Sequence, residues 1–449
     1  MSETLDPIAI DQQTRLGKRS AFEVLKPIKR FYIFLIITAL LLFGWFGPLL
    51  FGLSIFALST LNFVLLFFFR VHAQYLFSKN AIAEEQKLYS SDLSSLTVLI
   101  PLKNEGAVIH ETFQSIIDQD FPKDKLEVII IVEESDHFTL DHIAQIELPS
   151  YFMVLQIPKL LPFTKGRALC HGVNAARNIY ITIIDAESRP EPGQFRKAME
   201  YFEKHEQIDC LQAKVQISNG SKNLLTALFA SEYFEWFESH LPHLALSHNA
   251  FGLGGNSFYI KREKVLKVGG WDPFNVTEDA ELSVRLLRSD FKFQMLSSYT
   301  LEVCPQDVKS WLYQRIRWCK GLLITQLTHL FNRKQMPGGA GFAFWTRMFL
   351  GTSLPISTVY VFFFLIINPQ VLLSWPWLEW TLWGIFGLTV GISFWADRRN
   401  LKKIGISNNP FTLLLFSVYY MLLYIIASLS AYYGYFVAPL DWNKTNHDL

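Results

Sequence analysis

Three patterns of apolar and polar positions follow one another along the chain. From Phe31 to Phe69 there is no charged residue, and Gly44, Gly47 and Pro48 interrupt the run near its middle. An uncharged stretch of this length predicts two membrane-spanning helices joined by a turn. The first of them, about 17 residues or roughly 25 Å of helix, is at the short end of what crosses a bilayer. From about residue 90 to 330, short apolar runs alternate with helical spacing. Thr97–Pro101, Glu127–Val132, Met153–Ile157 and Ile179–Ile184 read as strands, and Val108–Ile117 and Lys165–Arg177 as helices. Such alternation predicts a parallel sheet covered on both faces. Beyond Phe349 long apolar segments return: Phe349–Ile367, Trp380–Phe394 and Phe411–Phe436. Trp375, Trp377 and Trp380 form an interfacial aromatic belt, and Asp397-Arg398-Arg399 with Lys402-Lys403 reads as a cationic loop.

These patterns divide the chain into a polar cytosolic segment (1–30), two transmembrane helices (31–70), an α/β domain (90–330) and an interfacial helical region (331–347). Two to three transmembrane or re-entrant helices (348–437) and a tail (438–449) follow. Basic residues from Arg15 to Arg30 precede the first span, and Arg70 and Lys79 follow the second. The positive-inside rule then places the α/β domain in the cytoplasm and the chain as a multi-pass protein of the cell's inner membrane. Composition narrows the function. The 41 basic and 40 acidic residues nearly cancel, so no basic field argues for nucleic acid. Cys170, Cys210, Cys304 and Cys319 are too dispersed for a zinc site or a disulfide framework. There is no Walker loop and no GxGxxG after a strand, which excludes the commonest phosphate and dinucleotide cradles.

In parallel sheets, ligands bind beyond the carboxyl ends of the strands. One strand ends in Asn104-Glu105, another in Glu133-Glu134, and a third in Asp185-Ala186-Glu187. Asp185 and Glu187 straddle one small residue, so in an extended loop both carboxylates point the same way. Hard oxygen ligands of this kind suit Mg²⁺ or Mn²⁺ shared with substrate phosphates. Lys165 and Arg167 add cations. Further on, Thr277 is placed to cap a helix whose first turn holds Glu278 and Asp279. In a second helix Gln314, Arg317 and Trp318 share a face at i, i+3 and i+4. A guanidinium fork fits phosphate oxygens, and an indole offers a surface for a sugar ring. An acid pair for a metal, separate cations for a diphosphate and a stacking Trp point to a nucleotide-diphosphate sugar. Asp279 is then placed to take the acceptor's proton.

At these residues the chain resembles the membrane-bound members of glycosyltransferase family 2, the cellulose, chitin and hyaluronan synthases. The likeness runs through Val98-Leu99-Ile100-Pro101 with Asn104-Glu105, Thr164 to Leu169, Asp185-Ala186-Glu187, Gly269 to Asp272, Thr277 to Asp279 and Gln314 to Trp318. The tail Trp442 to His447 is similar to the ending of a bacterial exopolysaccharide-synthase-like branch. The resemblance implies an α/β GT-A (Rossmann-like) domain inserted between transmembrane helices. It implies inverting transfer of a hexosyl or N-acetylhexosaminyl group from a UDP-sugar to a growing polysaccharide. Glu133 or Glu134 is implied at the uracil or ribose, Asp185 at the nucleotide and metal, Glu187 at the metal, and Lys165 at the nucleotide or diphosphate. Glu278 and Asp279 are implied as the catalytic acids, Asp279 being the base, and Gln314, Arg317 and Trp318 as holding the diphosphate and acceptor sugar. The partners are therefore a nucleotide sugar, a glycan acceptor and the bilayer, with export partners unidentified. A lipid acceptor, giving a glycolipid, is the alternative product.

Overall fold

The computed structural model describes residues 93–106, 108–246, 252–289, 291–330 and 376–437, with isolated positions between 56 and 75. Apart from those isolated positions, the spans anticipated in 31–70 lie outside the described residues. So do the interfacial region 331–347, the apolar run 349–367 and the tail 438–449.

The first half of the α/β domain carries β1 (Leu96–Leu102), α1 (Ile109–Ile117), β2 (Leu126–Glu133), α2 (His137–Ile143), β3 (Phe152–Ile157), α3 (Lys165–Ala175), β4 (Tyr180–Ile183), β5 (Arg189–Pro190) and α4 (Gln194–Lys204). The second half carries β6 (Cys210–Ile217), α5 (Leu224–Glu235), a π-helical turn at Trp236–His240, α6 (Leu241–Leu246), β7 (Phe258–Lys261), α7 (Arg262–Lys267), α8 (Glu278–Leu287), β8 (Phe293–Glu302) and α9 (Val308–Leu330). Two long helices, α10 (Pro376–Lys403) and α11 (Pro410–Val437), follow.

The eight strands form one sheet in the order β3-β2-β1-β4-β7-β6-β8-β5. Strands β3, β2, β1 and β4 are mutually parallel. Beyond them the expected all-parallel arrangement gives way to a mixed sheet. β7 runs antiparallel to both β4 and β6, while β6 is parallel to β8. Just before β7 the backbone passes through positive φ at Gly255 (79°) and Ser257 (52°).

Alternate residues of β1 and β2 supply two separate cores, as a period of two requires. Leu99, Ile129 and Ile131 pack with Leu169 and Val173 of α3, while Val98, Ile100, Val128 and Ile130 pack with Phe113 of α1 and Phe195 of α4. Each such fully buried side chain contributes about 1.5–3 kcal/mol, so the β1–β4 layer is a rigid base for the loops at its carboxyl edge. A third cluster joins the sheet domain to the C-terminal helices through Phe229 of α5, Trp311 of α9 and Leu413, Tyr420 and Leu423 of α11.

α10 runs to Lys403. The cationic loop expected at Asp397–Lys403 is instead the last two turns of this helix. It stays helical because its polar side chains dock on α5: Asp397 accepts from Ser231 at 2.8 Å, and Asn400 donates to the Ser231 hydroxyl at 3.1 Å. Arg70 bridges Glu235 of α5 (3.1 Å) and Asp397 (2.9 Å). Among the described residues, one helix, Pro410–Tyr435, is long and apolar enough to cross a membrane. One of its faces, with Leu415, Leu422, Ile426 and Leu429, is exposed.

Candidate active site

At the carboxyl ends of β4 and β8 the chain gathers charged groups away from water. The Lys165 ammonium, in the first turn of α3, lies 2.5 Å from Asp185 and 3.9 Å from Glu278, and donates to the Gly255 carbonyl at 3.0 Å. Burial alone would push this ammonium towards neutrality. Asp185 and Glu278 more than offset that and hold it protonated well above ordinary lysine. Thr164 fixes its place: the Thr164 hydroxyl accepts from the Arg167 amide, capping α3, and donates to the Pro273 carbonyl at 2.6 Å.

The acids respond to the same burial. Glu278 is pushed up to about 7 by loss of solvent, with Asp279 adding to the rise and Lys165 opposing it. Burial also raises Asp279, against its helix-turn amide, Lys165 and Arg317. In Asp185 burial again raises the pKa, opposed first by Lys165, with Glu187 adding and Arg317 subtracting. Contacts join Lys165 to Asp185, Glu278 and the Gly255 carbonyl, Gly255 lies against Asp279, and the charge of Arg317 bears on all three acids. Gly255 makes room for Asp279. Its φ of +79° disfavours any side chain, and a Cβ there would stand 3.1 Å from the Asp279 carboxylate.

How Arg317 arrives over these acids is set by a staple between α8 and α9. Thr277 precedes α8 but does not cap it with its side chain, contrary to its expected role. Asn275 takes that part of the turn: its carbonyl oxygen accepts from the Thr277 amide (3.0 Å), and its amide donates to Thr325 of α9 at 2.7 Å. Gly321 of α9 lies so close that an added Cβ would meet Thr277 Oγ1 at 2.4 Å and its backbone nitrogen at 2.7 Å. Gly321→Ala is therefore expected to overpack this joint and cost about 1–3 kcal/mol, read as a lowered thermal midpoint. Gly384→Ala, at a helical position with nothing within 4 Å, is the neutral control.

Glu133 and Glu134 stand apart from the pocket. Glu133 accepts from the Ser135 hydroxyl at 2.5 Å, and the exposed Glu134 accepts from the Lys159 amide at 3.2 Å. Both lie at the end of β2, two strands from β4. Gln314 is buried, and among the described residues its side-chain oxygen has no hydrogen-bond partner. Trp318 faces α5, its ring 6.0 Å from Phe229 and 6.5 Å from Tyr233.

One residue at the pocket, Glu302, escaped the sequence reading. Glu302 ends β8, where burial first, then Glu187 and Asp185, hold its carboxyl far above the usual range. Asn256, almost wholly enclosed, donates to Ser188 (2.8 Å) and Glu302 (3.2 Å), while among the described residues its side-chain oxygen lacks a partner. The usable signal for Glu302 was its place as one more strand-terminal acid.

The charge of Glu187 thus bears on Asp185, and both bear on Glu302, with Lys165 against Asp185. Hard oxygen donors under mutual repulsion fit a divalent cation. Among the described residues, no three His, Cys, Asp or Glu side chains are preset to enclose one.

Residues 94–321, half of the chain, match the family model "Glycosyltransferase like family 2". The probable glycosyltransferase YdaM of Bacillus subtilis (strain 168) is 27% identical over 252 residues, 54% of this chain and 60% of that protein. The beta-monoglucosyldiacylglycerol synthase of Nostoc sp. (strain PCC 7120) is 24% identical over 384 residues, 81% of this chain and 78% of that one. Among solved structures, the mannosyltransferase PcManGT from Pyrobaculum calidifontis, in complex with GDP-Man and Mn²⁺, superposes with a TM-score of 0.51 at 15% identity. It covers 75% of this chain and 99% of its own. That likeness is one of fold, an open mixed GT-A-like sheet. The chain spans less than two thirds of the length of YdaM.

Proposed function

This chain belongs to the glycosyltransferase-like family 2, and from that premise we propose that it transfers a sugar, with inversion, from a UDP-sugar to a growing polysaccharide at the inner face of the cell membrane. The convergence of Lys165, Asp185, Glu278, Asp279 and Arg317 in one buried pocket carries this reading.

The Asp279 carboxylate removes the proton of the acceptor hydroxyl as its oxygen attacks the anomeric carbon. The bond from that carbon to the diphosphate breaks on the opposite face, which inverts the configuration. Arg317 and Lys165 take up the negative charge of the leaving diphosphate. Asp185 and Glu187 would hold a Mg²⁺ or Mn²⁺ ion, which when bound supplies Lewis-acid stabilisation of the same charge. Glu278 keeps Lys165 charged, Gln314 and Trp318 face the acceptor, and Glu133 and Glu134 receive the nucleoside.

The membrane placement is part of the proposal. It rests on α11, the apolar runs at 31–69 and 349–367, and Arg398, Arg399, Lys402 and Lys403 at the end of α10 that docks on α5. Cations at that end put the sheet domain on the cytosolic side. A second reading, transfer to a lipid acceptor, is favoured by the Nostoc relative, whose name is that of a glycolipid synthase and which aligns along 81% of this chain.

Membranes containing the full chain, incubated with radiolabelled UDP-glucose, UDP-galactose, UDP-N-acetylglucosamine and GDP-mannose, test both. We expect one UDP-sugar to label a glycan that resists organic extraction. Excess EDTA should abolish labelling, and Mg²⁺ or Mn²⁺ should restore it. Label confined to a solvent-extractable single-sugar lipid selects the second reading. A GDP-mannose requirement corrects the donor, and no transfer from any of the four overturns the proposal.

A further inference from the structure

Helices α9 and α11 run parallel and in step. Trp311 Nε1 donates to the Tyr420 hydroxyl (3.2 Å), Arg315 to the Tyr424 hydroxyl (3.0 Å), and the Cys319 thiol meets the Ser428 hydroxyl (3.5 Å). Each rung lies four residues beyond the last on both helices, so one face of α9 is fixed in register on one face of α11. Gln314, Arg317 and Gly321 occupy another face of α9, towards the pocket.

The middle rung is unusual. Arg315 is only 3% exposed. Its guanidinium pairs with Glu232 of α5, and Glu232 also accepts from the Tyr420 hydroxyl at 3.0 Å. The same guanidinium lies over four aromatic rings: Trp318 at 4.5 Å, Phe229 at 4.6 Å, Trp311 at 5.2 Å and Tyr424 at 5.3 Å. One buried cation thus joins α5, α9 and α11 and covers one face of the Trp318 indole. That face is closed to any other ring.

We infer that Arg315 is a positioning residue: it backs Trp318 and locks α9 to the apolar helix α11, so that the open indole face is held towards the acceptor. This rests on the reading of Trp318 as acceptor-facing. A lysine in its place keeps the charge opposite Glu232 but loses the planar stack.

The test uses the full chain in membranes and the radiolabelled nucleotide sugar selected by the donor panel. It follows transfer to acceptor and hydrolysis of the donor to free sugar. Arg315→Lys should lower transfer at least tenfold, with hydrolysis and donor KM changed less than threefold. It should also add nothing to the loss caused by Trp318→Phe, because both act on one ring. Tyr424→Phe, which removes one hydroxyl, should show the same split at about three- to fivefold. Wild-type transfer in Arg315→Lys overturns the inference, as does a loss that is additive with Trp318→Phe or shared equally by hydrolysis. Should Arg315→Lys fail to fold, Tyr424→Phe decides, and wild-type transfer there is fatal. If Trp318→Ala transfers normally, the acceptor-facing reading of Trp318 is what fails.

Discussion

Asp279→Asn should lower sugar transfer by about 10²–10⁴-fold, the range for loss of a general base, while leaving the protein folded and able to bind donor. The amide keeps the volume of the carboxylate, so the tight fit against Gly255 is preserved. What it loses is basicity. Burial raises the proton affinity of Asp279 above that of an ordinary aspartate, which improves it as a base so long as it stays ionised. Lys165 and Arg317 oppose the rise and favour that ionised form. The sign of the pH dependence follows. As pH falls through the raised pKa, the carboxylate gains a proton and transfer falls, and this acid limb should vanish in the residual activity of Asp279→Asn. Glu278→Gln distinguishes the neighbours. Glu278 holds Lys165 from 3.9 Å and takes no proton from the acceptor, so its loss should weaken donor binding more than turnover. Full transfer in Asp279→Asn, measured with the labelled donor, would remove Asp279 from the mechanism.

Sequence pattern and three-dimensional contact contribute differently here. The first four strands lie close to their apolar runs, because continuous Val, Ile and Leu between two helical layers leave few alternatives. Strands β6 and β7 were not legible. β7 is short, and β6 is mixed in polarity, with buried Gln212 bonded to the Asn256 carbonyl at 3.0 Å, and a buried polar residue in a strand has no periodic signature. The acids at strand ends were visible as a class, but which of them meet was not. Glu302 lies on a strand with Ser298 and Thr300, which does not read as core. Arg315 is the clearest case. It sits inside the Gln314–Trp318 stretch, yet its place on the opposite face of α9 depends on α11, more than a hundred residues away. Thr277 reads as a helix cap from local spacing, and the nearby Asn275, tied to Thr325, overrides it.

Arg317→Ala should cut transfer by about 10²–10³-fold, the size of effect seen when one donor to a developing anion is removed. The guanidinium is poorly used by the protein itself. Among the described residues it reaches the Val276 carbonyl at 3.5 Å, and its buried Nε has no partner there. A fixed cation with an unpartnered Nε among the described residues, its charge bearing on Asp185, Glu278 and Asp279, is arranged for an anion that arrives with the substrate. Arg317→Lys separates charge from geometry. It keeps the cation but not the planar fork, so it should recover part of the loss and no more. If Arg317 serves the leaving diphosphate, both variants should lose turnover more than donor affinity, because the charge grows only as the bond breaks. Gly321→Ala provides the structural comparison. It disturbs the joint that sets Arg317 over the acids without touching the guanidinium, so it should lower thermal stability and transfer together. Arg317→Ala should leave the thermal midpoint within a few degrees of wild type, and a collapse in stability equal to that of Gly321→Ala would recast Arg317 as a counter-ion for the buried acids alone.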